Sequence, residues 1–364
     1  MKIAEIIAVI ENAAPLLLQE SYDNSGLIIG SPDTEVNSAL ITLDVTDAVI
    51  DEALKYQCNL IIAHHPLIFK SIKKIGTKYP VERMITRCIK NDLAVYAAHT
   101  NLDNVAQGVN RMICDKIGLE NVTVLAPKSM MLRKLVTFCP VSYAEMVRKA
   151  LFDAGAGHIG NYDNCSFNAE GRGTFRALAG SSPFIGKIDE LHTEPEIRIE
   201  TIFPVYRQSS VLDALFGVHP YEEVAYDIYP LENEFSAVGA GMTGNLKNPE
   251  PTMDFLHRIK KVFGISCLRH TKIIRQSVQK IAVCGGTGSF LLSRAMAEKA
   301  DVYITGDVKY HEFFDADEKI LFVDIGHYES EQFTTDVIRN ILSEKIPTFA
   351  TRISKIKTNP VFYL

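Results

Sequence analysis

Leu60-Ile61-Ile62-Ala63-His64-His65-Pro66 is an unbroken apolar run that ends in two imidazoles and a proline. Four consecutive apolar residues read as a strand buried on both faces, as in a parallel sheet, where alternation is lost. In open α/β sheets the chemistry sits beyond the carboxyl ends of the strands. Two imidazoles delivered there point to a metal site, imidazole being a common ligand. A hydrogen-bonded pair of histidines, one in the core and one capping a helix, is the structural alternative.

Two further strand ends weigh towards metal. Ile320-Leu321-Phe322-Val323-Asp324-Ile325-Gly326-His327 is again apolar and ends in histidine, and Tyr328-Glu329-Ser330-Glu331 follows. A helix starting near His327 would place His327 and Glu331 one turn apart on one face. A capped helix with acids in its first turn is the alternative there. The third cluster, Leu93-Ala94-Val95-Tyr96-Ala97-Ala98-His99-Thr100-Asn101-Leu102-Asp103, supplies a carboxylate.

Bulk composition sets the frame. A chain of 364 residues exceeds one typical core of ~100–200 residues. A 47% hydrophobic and 23% charged composition is that of a globular protein. The net charge of −6 argues against a generally basic, nucleic-acid-binding surface. Seven scattered cysteines without a CxxC pair fit reduced thiols and a cytoplasmic location. The start Met1-Lys2-Ile3-Ala4-Glu5-Ile6 lacks the apolar core of a signal peptide, and no apolar run nears the ~18 residues of a membrane span.

Along the chain, residues 1–20 read as an amphipathic helix meeting Pro15. Alternating strands and helices then run to Gly118, with helix 47–57 capped by Thr46. The rhythm changes over 128–235. Strands at Lys134–Cys139, Cys165–Glu170, Gly173–Ala179, Glu196–Pro204 and Glu223–Tyr229, with helices at Tyr143–Ala154 and Ser209–Phe216, make a ferredoxin-like pattern with an extra hairpin. The α/β rhythm returns after 236 and closes with a long helix over 331–343 and strands near 347–351 and 360–364. The expected organisation is an α/β domain from residues 1–127 and 236–364, interrupted by a second domain at 128–235.

The stretches Asp23-Asn24-Ser25-Gly26-Leu27, Ala63-His64-His65-Pro66, His99-Thr100-Asn101-Leu102-Asp103, Gly285-Gly286-Thr287-Gly288, Tyr303-Ile304-Thr305-Gly306-Asp307 and Gly326-His327-Tyr328-Glu329-Ser330-Glu331 together resemble the Nif-three-like family, often labelled type 2 GTP cyclohydrolase I homologues. The resemblance spans the chain. Tyr22 departs from it, standing where the family commonly has tryptophan. It implies an α/β/α domain carrying the PII/CutA-like insert of the longer bacterial members. It also implies a dinuclear metal centre held by His64, His65, Asp103, His327 and Glu331, and a ring-like homohexamer.

Three imidazoles and two carboxylates suit Zn, Fe, Mn, Co or Ni. Asp23 or Asp307 is expected to take the second N–H of a ligand imidazole. His311 is a further candidate near the site, and His99 the candidate proton carrier, hence catalytic. The Gly285-Gly286-Thr287-Gly288-Ser289 turn precedes a helix and could meet an anion, although it is neither a Walker A nor a G-x-G-x-x-G motif. The resulting expectation is a metal-dependent hydrolase acting on a nucleotide or another phosphate-bearing small molecule. The alternatives are a metal-homeostasis or regulatory protein, or a ring that binds DNA.

Overall fold

A computed structural model describes residues 1–364. The chain divides into two units, Met1–Pro127 with Ser236–Leu364, and Lys128–Phe235.

The first unit contains two sheets. One has the order Gly26–Ile29, Ala94–Ala97, Leu60–Ala63, Ser38–Thr42, Ala350–Ile353, parallel except for its antiparallel edge at Gly26–Ile29. The other has the order Arg269–His270, Leu321–Asp324, Val302–Gly306, Ser277–Thr287, Phe235–Pro251, Leu119–Lys128. Its three central strands, from Leu321–Asp324 to Ser277–Thr287, are parallel.

Both faces of the Leu60–Ala63 strand are covered, which is why its sequence shows no alternation. Leu60 and Ile62 join the large core shared by the two sheets and the helices Ile3–Ala13, Val109–Ile117, Thr252–Phe263 and Thr334–Lys345. Ile61 and Ala63 face a second core with the helices Asp47–Lys55 and Pro80–Lys90. Phe322 and Tyr303 turn away from the large core into a third cluster with Leu291, Leu292 and Ala295. Parallel strands stacked this way align their carboxyl ends, and those ends carry His64, His99, Asp307 and His327.

Several boundaries differ from the sequence reading. A single helix is expected over Asn104–Ile117 before Gly118; the helix there is only Val109–Ile117, ending at left-handed Gly118, with a separate short helix at Thr100–Asp103 before it. The long helix expected over 331–343 is a short one at His327–Glu331 followed by Thr334–Lys345. Residues 360–364 form no strand; side-chain hydrogen bonds from Thr358 and Asn359 anchor that segment instead.

The second unit runs strand–helix–strand–strand–helix–strand. Numbered within the unit, its antiparallel strands lie in the order four, one, three, two, a ferredoxin-like topology. Its core packs Leu135, Ile197, Ile199 and Phe203 against Val147, Leu151, Val211 and Leu215 of the helices Ala144–Asp153 and Gln208–Val218. The expected break between Cys165–Glu170 and Gly173–Ala179 does not exist: Phe167–Arg176 is one strand. Its partner, Leu191–Pro204, starts five residues before the expected Glu196. Gly173 looks like a turn residue, but it makes room for the Glu196 carboxylate, which an added Cβ would meet at 2.1 Å.

Each unit has its own core, and the first unit's cut ends are close. An added Cβ at Gly239 would lie 2.1 Å from the Ala126 carbonyl oxygen. Replacing 128–235 with a short Gly-Ser linker is therefore expected to give a protein with one cooperative thermal transition and undiminished metal uptake. Circular dichroism melts and metal analysis check this.

Candidate metal centre

His64 and His65 extend beyond their strand, their amides donating to the carbonyls of Thr42 and Leu43 at 3.2 and 2.9 Å. His64 is fully buried. Its Nδ1–H donates to the Ala98 carbonyl at 2.8 Å, so Nε2 carries the lone pair, and no protein group satisfies it. His65 donates from Nδ1 to Asp44 at 2.7 Å, and its Nε2 faces Glu331 Oε2 at 3.0 Å. His327 donates from Nδ1 to Asp307 at 2.8 Å, with its Nε2 3.1 Å from Glu331 Oε2 and 3.3 Å from His65 Nε2. All three rings are thus held from behind with Nε2 pointing inward, the arrangement a ligand imidazole needs.

Two carboxylates complete the cluster. Asp103 Oδ1 and Glu331 Oε1 each lie 3.7 Å from His64 Nε2, too far for a hydrogen bond. Asp103 Oδ1 is buried with no partner. Donor atoms ~2.1 Å from a shared ion, at angles of roughly 90–120°, stand about 3.0–3.6 Å apart. The separations of 3.0, 3.1 and 3.3 Å fall in that range and the 3.7 Å pair at its edge. Such a donor set fits divalent cations. His65, His327 and Glu331 form one compact group, and His64, Asp103 and Glu331 form another, with Glu331 common to both.

The charges tell the same story. Burial works against protonation of His65 and His327, but hydrogen bonds to carboxylates override it: Asp44 and Glu331 for His65, Glu331 and Asp307 for His327. Their pKa values rise to about 10 and about 9. Burial lowers that of His64. Burial also raises Asp103, reinforced by the Glu331 charge. Glu331 is buried too, yet His327 and His65, whose Nε2 atoms face its Oε2, hold it well below the usual carboxylate range. The directions agree: Glu331 and the carboxylates around it favour positive charge at His65 and His327, which is the charge a divalent ion would supply there.

The backbone around Glu331 is shaped to fit it. Gly286 has φ +61°, and a Cβ there would lie 2.2 Å from Glu331 Oε1. The Gly285 and Gly286 amides are taken by Asn110 Oδ1 and Ser330 Oγ, both at 2.9 Å. The α-helix after the glycines is only Leu292–Ala297. The anion-binding reading of this turn is therefore set aside: its glycines make space for a carboxylate.

His99 lies beside the cluster, its ring 5.2 and 5.4 Å from those of His64 and His65. Its Nδ1 donates to Asp23 at 2.7 Å. Asp23 also accepts from the Thr100 amide and hydroxyl and from Ser25 Oγ. Burial would raise its pKa, but these bonds hold it well below the carboxylate range. Of the two acids expected behind ligand imidazoles, Asp307 stands behind His327 and Asp23 behind His99. His311 is not at the cluster; it packs against Tyr310 and Phe314 in the segment Tyr310–Ala316. Sequence reasoning gave Asp44 no role. Its signal was there: an acid just past the strand Ser38–Thr42, which neighbours Leu60–Ala63.

A cavity of about 760 Å³ opens onto His65, His327 and His99. Phe69, Tyr328 and Tyr363 give it apolar walls, and Arg269, paired with Asp324, lies at its side. No helix is long and apolar enough to cross a membrane.

Residues 1–360 match the model of the family Duf34/NIF3 (NGG1p interacting factor 3). A relative from Bacillus subtilis, named GTP cyclohydrolase 1 type 2 homolog, is 41% identical over 99% of this chain and 98% of its own length. One of the same name from Halalkalibacterium halodurans is 39% identical over the full length of both. The crystal structure of a Bacillus cereus protein related to NIF3 superposes with a TM-score of 0.88 at 40% identity, covering 100% of this chain and 99% of that one.

Proposed function

The chain belongs to the Duf34/NIF3 family, and from that footing we propose that it is a two-cation hydrolase acting on a small molecule held in the cavity beside His65 and His327. One observation carries the reading: three inward Nε2 atoms converge with the buried Glu331 carboxylate and the buried Oδ1 of half-buried Asp103, Glu331 being shared by two donor groups. His64, Asp103 and Glu331 would hold one ion, and His65, His327 and Glu331 the other. The mixed nitrogen and oxygen donors suit Zn, Fe, Mn, Co or Ni. When bound, such a pair supplies an activated water and polarises a substrate oxygen.

The chain's own residues supply orientation and proton handling. Asp44, Asp307 and the Ala98 carbonyl fix the three imidazoles. Asp23 holds the Nδ1–H of His99, leaving Nε2 to take a proton from the attacking water and return it to the leaving group. Phe69, Tyr328 and Tyr363 line the cavity with ring faces that favour a flat substrate body. A nucleotide or another phosphate-bearing compound is the proposed class, in keeping with the relatives' name. The 128–235 unit is read as a PII/CutA-like insert, and the assembly as a homohexameric ring, about six times the 40.5 kDa chain mass by light scattering.

Protein purified without chelator or metal-affinity resin should carry two equivalents of divalent metal, identified by anomalous scattering at several edges. It should hydrolyse at least one member of a panel of GTP, other nucleotides and phosphodiesters. His99→Gln should keep the metal and lower kcat about 10²–10⁴-fold. Full loading with no turnover across the panel would remove the hydrolase assignment and leave a metal-binding or regulatory protein.

A further inference from the structure

The chain after the strand Ala350–Ile353 is tied at successive points. The Ser354 amide donates to the Ile41 carbonyl, and Ser354 Oγ and the Lys355 amide both donate to Glu52. Thr358 Oγ1 donates to Asp44 Oδ2 at 2.5 Å, while the other oxygen of Asp44 accepts from His65 Nδ1. The next residue, Asn359, is buried and donates to Glu329 Oε1 at 2.8 Å. Glu329 in turn fills the space above Gly326, where a Cβ would lie 2.1 Å from its carboxylate, and His327 follows directly. Asn359, Pro360, Val361 and Tyr363 then form one wall of the cavity.

We propose that Thr358 and Asn359 are positioning residues for the cavity-facing half of the centre, and that the segment 354–363 is a strap fastened through the same carboxylate that orients His65. This rests on the two-cation reading above. Asp44 has two oxygens and two tasks. One aims the His65 ring, and the other is held by Thr358, which fixes the plane of the carboxylate. Without the hydroxyl, Asp44 can rotate and the His65 Nε2 vector loosens. His64 does not depend on this chain of bonds, because its Nδ1 partner is the Ala98 carbonyl. The effect is therefore confined to the ion at His65 and His327. Linkage is reciprocal: an ion that fixes His65 also fixes Asp44, and so tightens the strap.

The test titrates Zn into full-length protein and follows hydrogen exchange in residues 354–364. Thr358→Val should bind the first Zn equivalent as wild type does and the second 10–100-fold more weakly, the usual effect of losing a group that supports a ligand. Thr358→Ser should restore it. Asn359→Asp, which sets a second carboxylate against Glu329, should speed exchange across the strap. Zn should slow that exchange in wild type and not in Asp44→Asn. Wild-type affinity for both equivalents in Thr358→Val overturns the inference, as does equal weakening of both. If wild type takes up no Zn, the two-cation reading fails. The strap is then judged by exchange alone: faster in Asp44→Asn upholds the tie, and unchanged refutes it.

Discussion

Glu331→Gln is expected to cost both cations, whereas His65→Ala or His327→Ala should cost one. Glu331 is 3% exposed and lies within 3.0–3.7 Å of three imidazole nitrogens, so it alone belongs to both donor groups. The amide keeps the shape but removes the charge and turns one oxygen into a donor aimed at the ring nitrogens. Metal affinity should fall at least 100-fold at each position, about 2.8 kcal/mol apiece. Isothermal titration with Zn or Mn, beside wild type and both His variants, reads this directly. Retention of one tight equivalent in Glu331→Gln would mean that the groups are independent and the carboxylate is not shared.

Metal affinity should climb steeply with pH up to about pH 9. His65 and His327 have pKa values of about 10 and about 9 with no cation bound. Below those values each imidazole carries a proton that a cation must displace. Two protons released per His65–His327 ion make the affinity rise up to 100-fold per pH unit, flattening as the pH passes first 9 and then 10. Proton release is measured by repeating the titration in buffers of different ionisation enthalpy. The stability of chelated protein should run the other way. These two pKa values are raised above the unfolded value near 6.5. Their contribution is thus complete below pH 6.5 and is lost as pH rises through about 9–10. Melting temperature with chelator should therefore fall over that alkaline range, and Zn should suppress the fall. A flat alkaline profile with chelator would show that the two rings are neutral without metal.

How much of this was legible in the chain depends on the kind of signal. His64-His65 after four apolar residues, and the four-residue spacing of His327 and Glu331, are local patterns that strand and helix periods translate into direction. Asp103 needed the strand rule, since only the aligned carboxyl ends of a parallel sheet bring it beside His64. Asp44 was missed because its role depends on the pairing of Ser38–Thr42 with Leu60–Ala63, and pairing partners are not written in local sequence. Thr358 and Asn359 were missed for the same reason at longer range. The apolar end of the chain resembled a strand, yet two side-chain bonds hold it. The glycines misled in two places. Gly173 and Gly286 resemble turn residues, but each makes way for a carboxylate contributed by a distant residue, Glu196 or Glu331.

The separation of His65 from Glu331 by 266 positions has a consequence during synthesis. His64, His65 and Asp103 leave the ribosome early, but neither of the two donor groups that share Glu331 is complete until Glu331 has also emerged. The paired centre can therefore load only once the chain is nearly complete, and the metal available at that moment decides which element it captures.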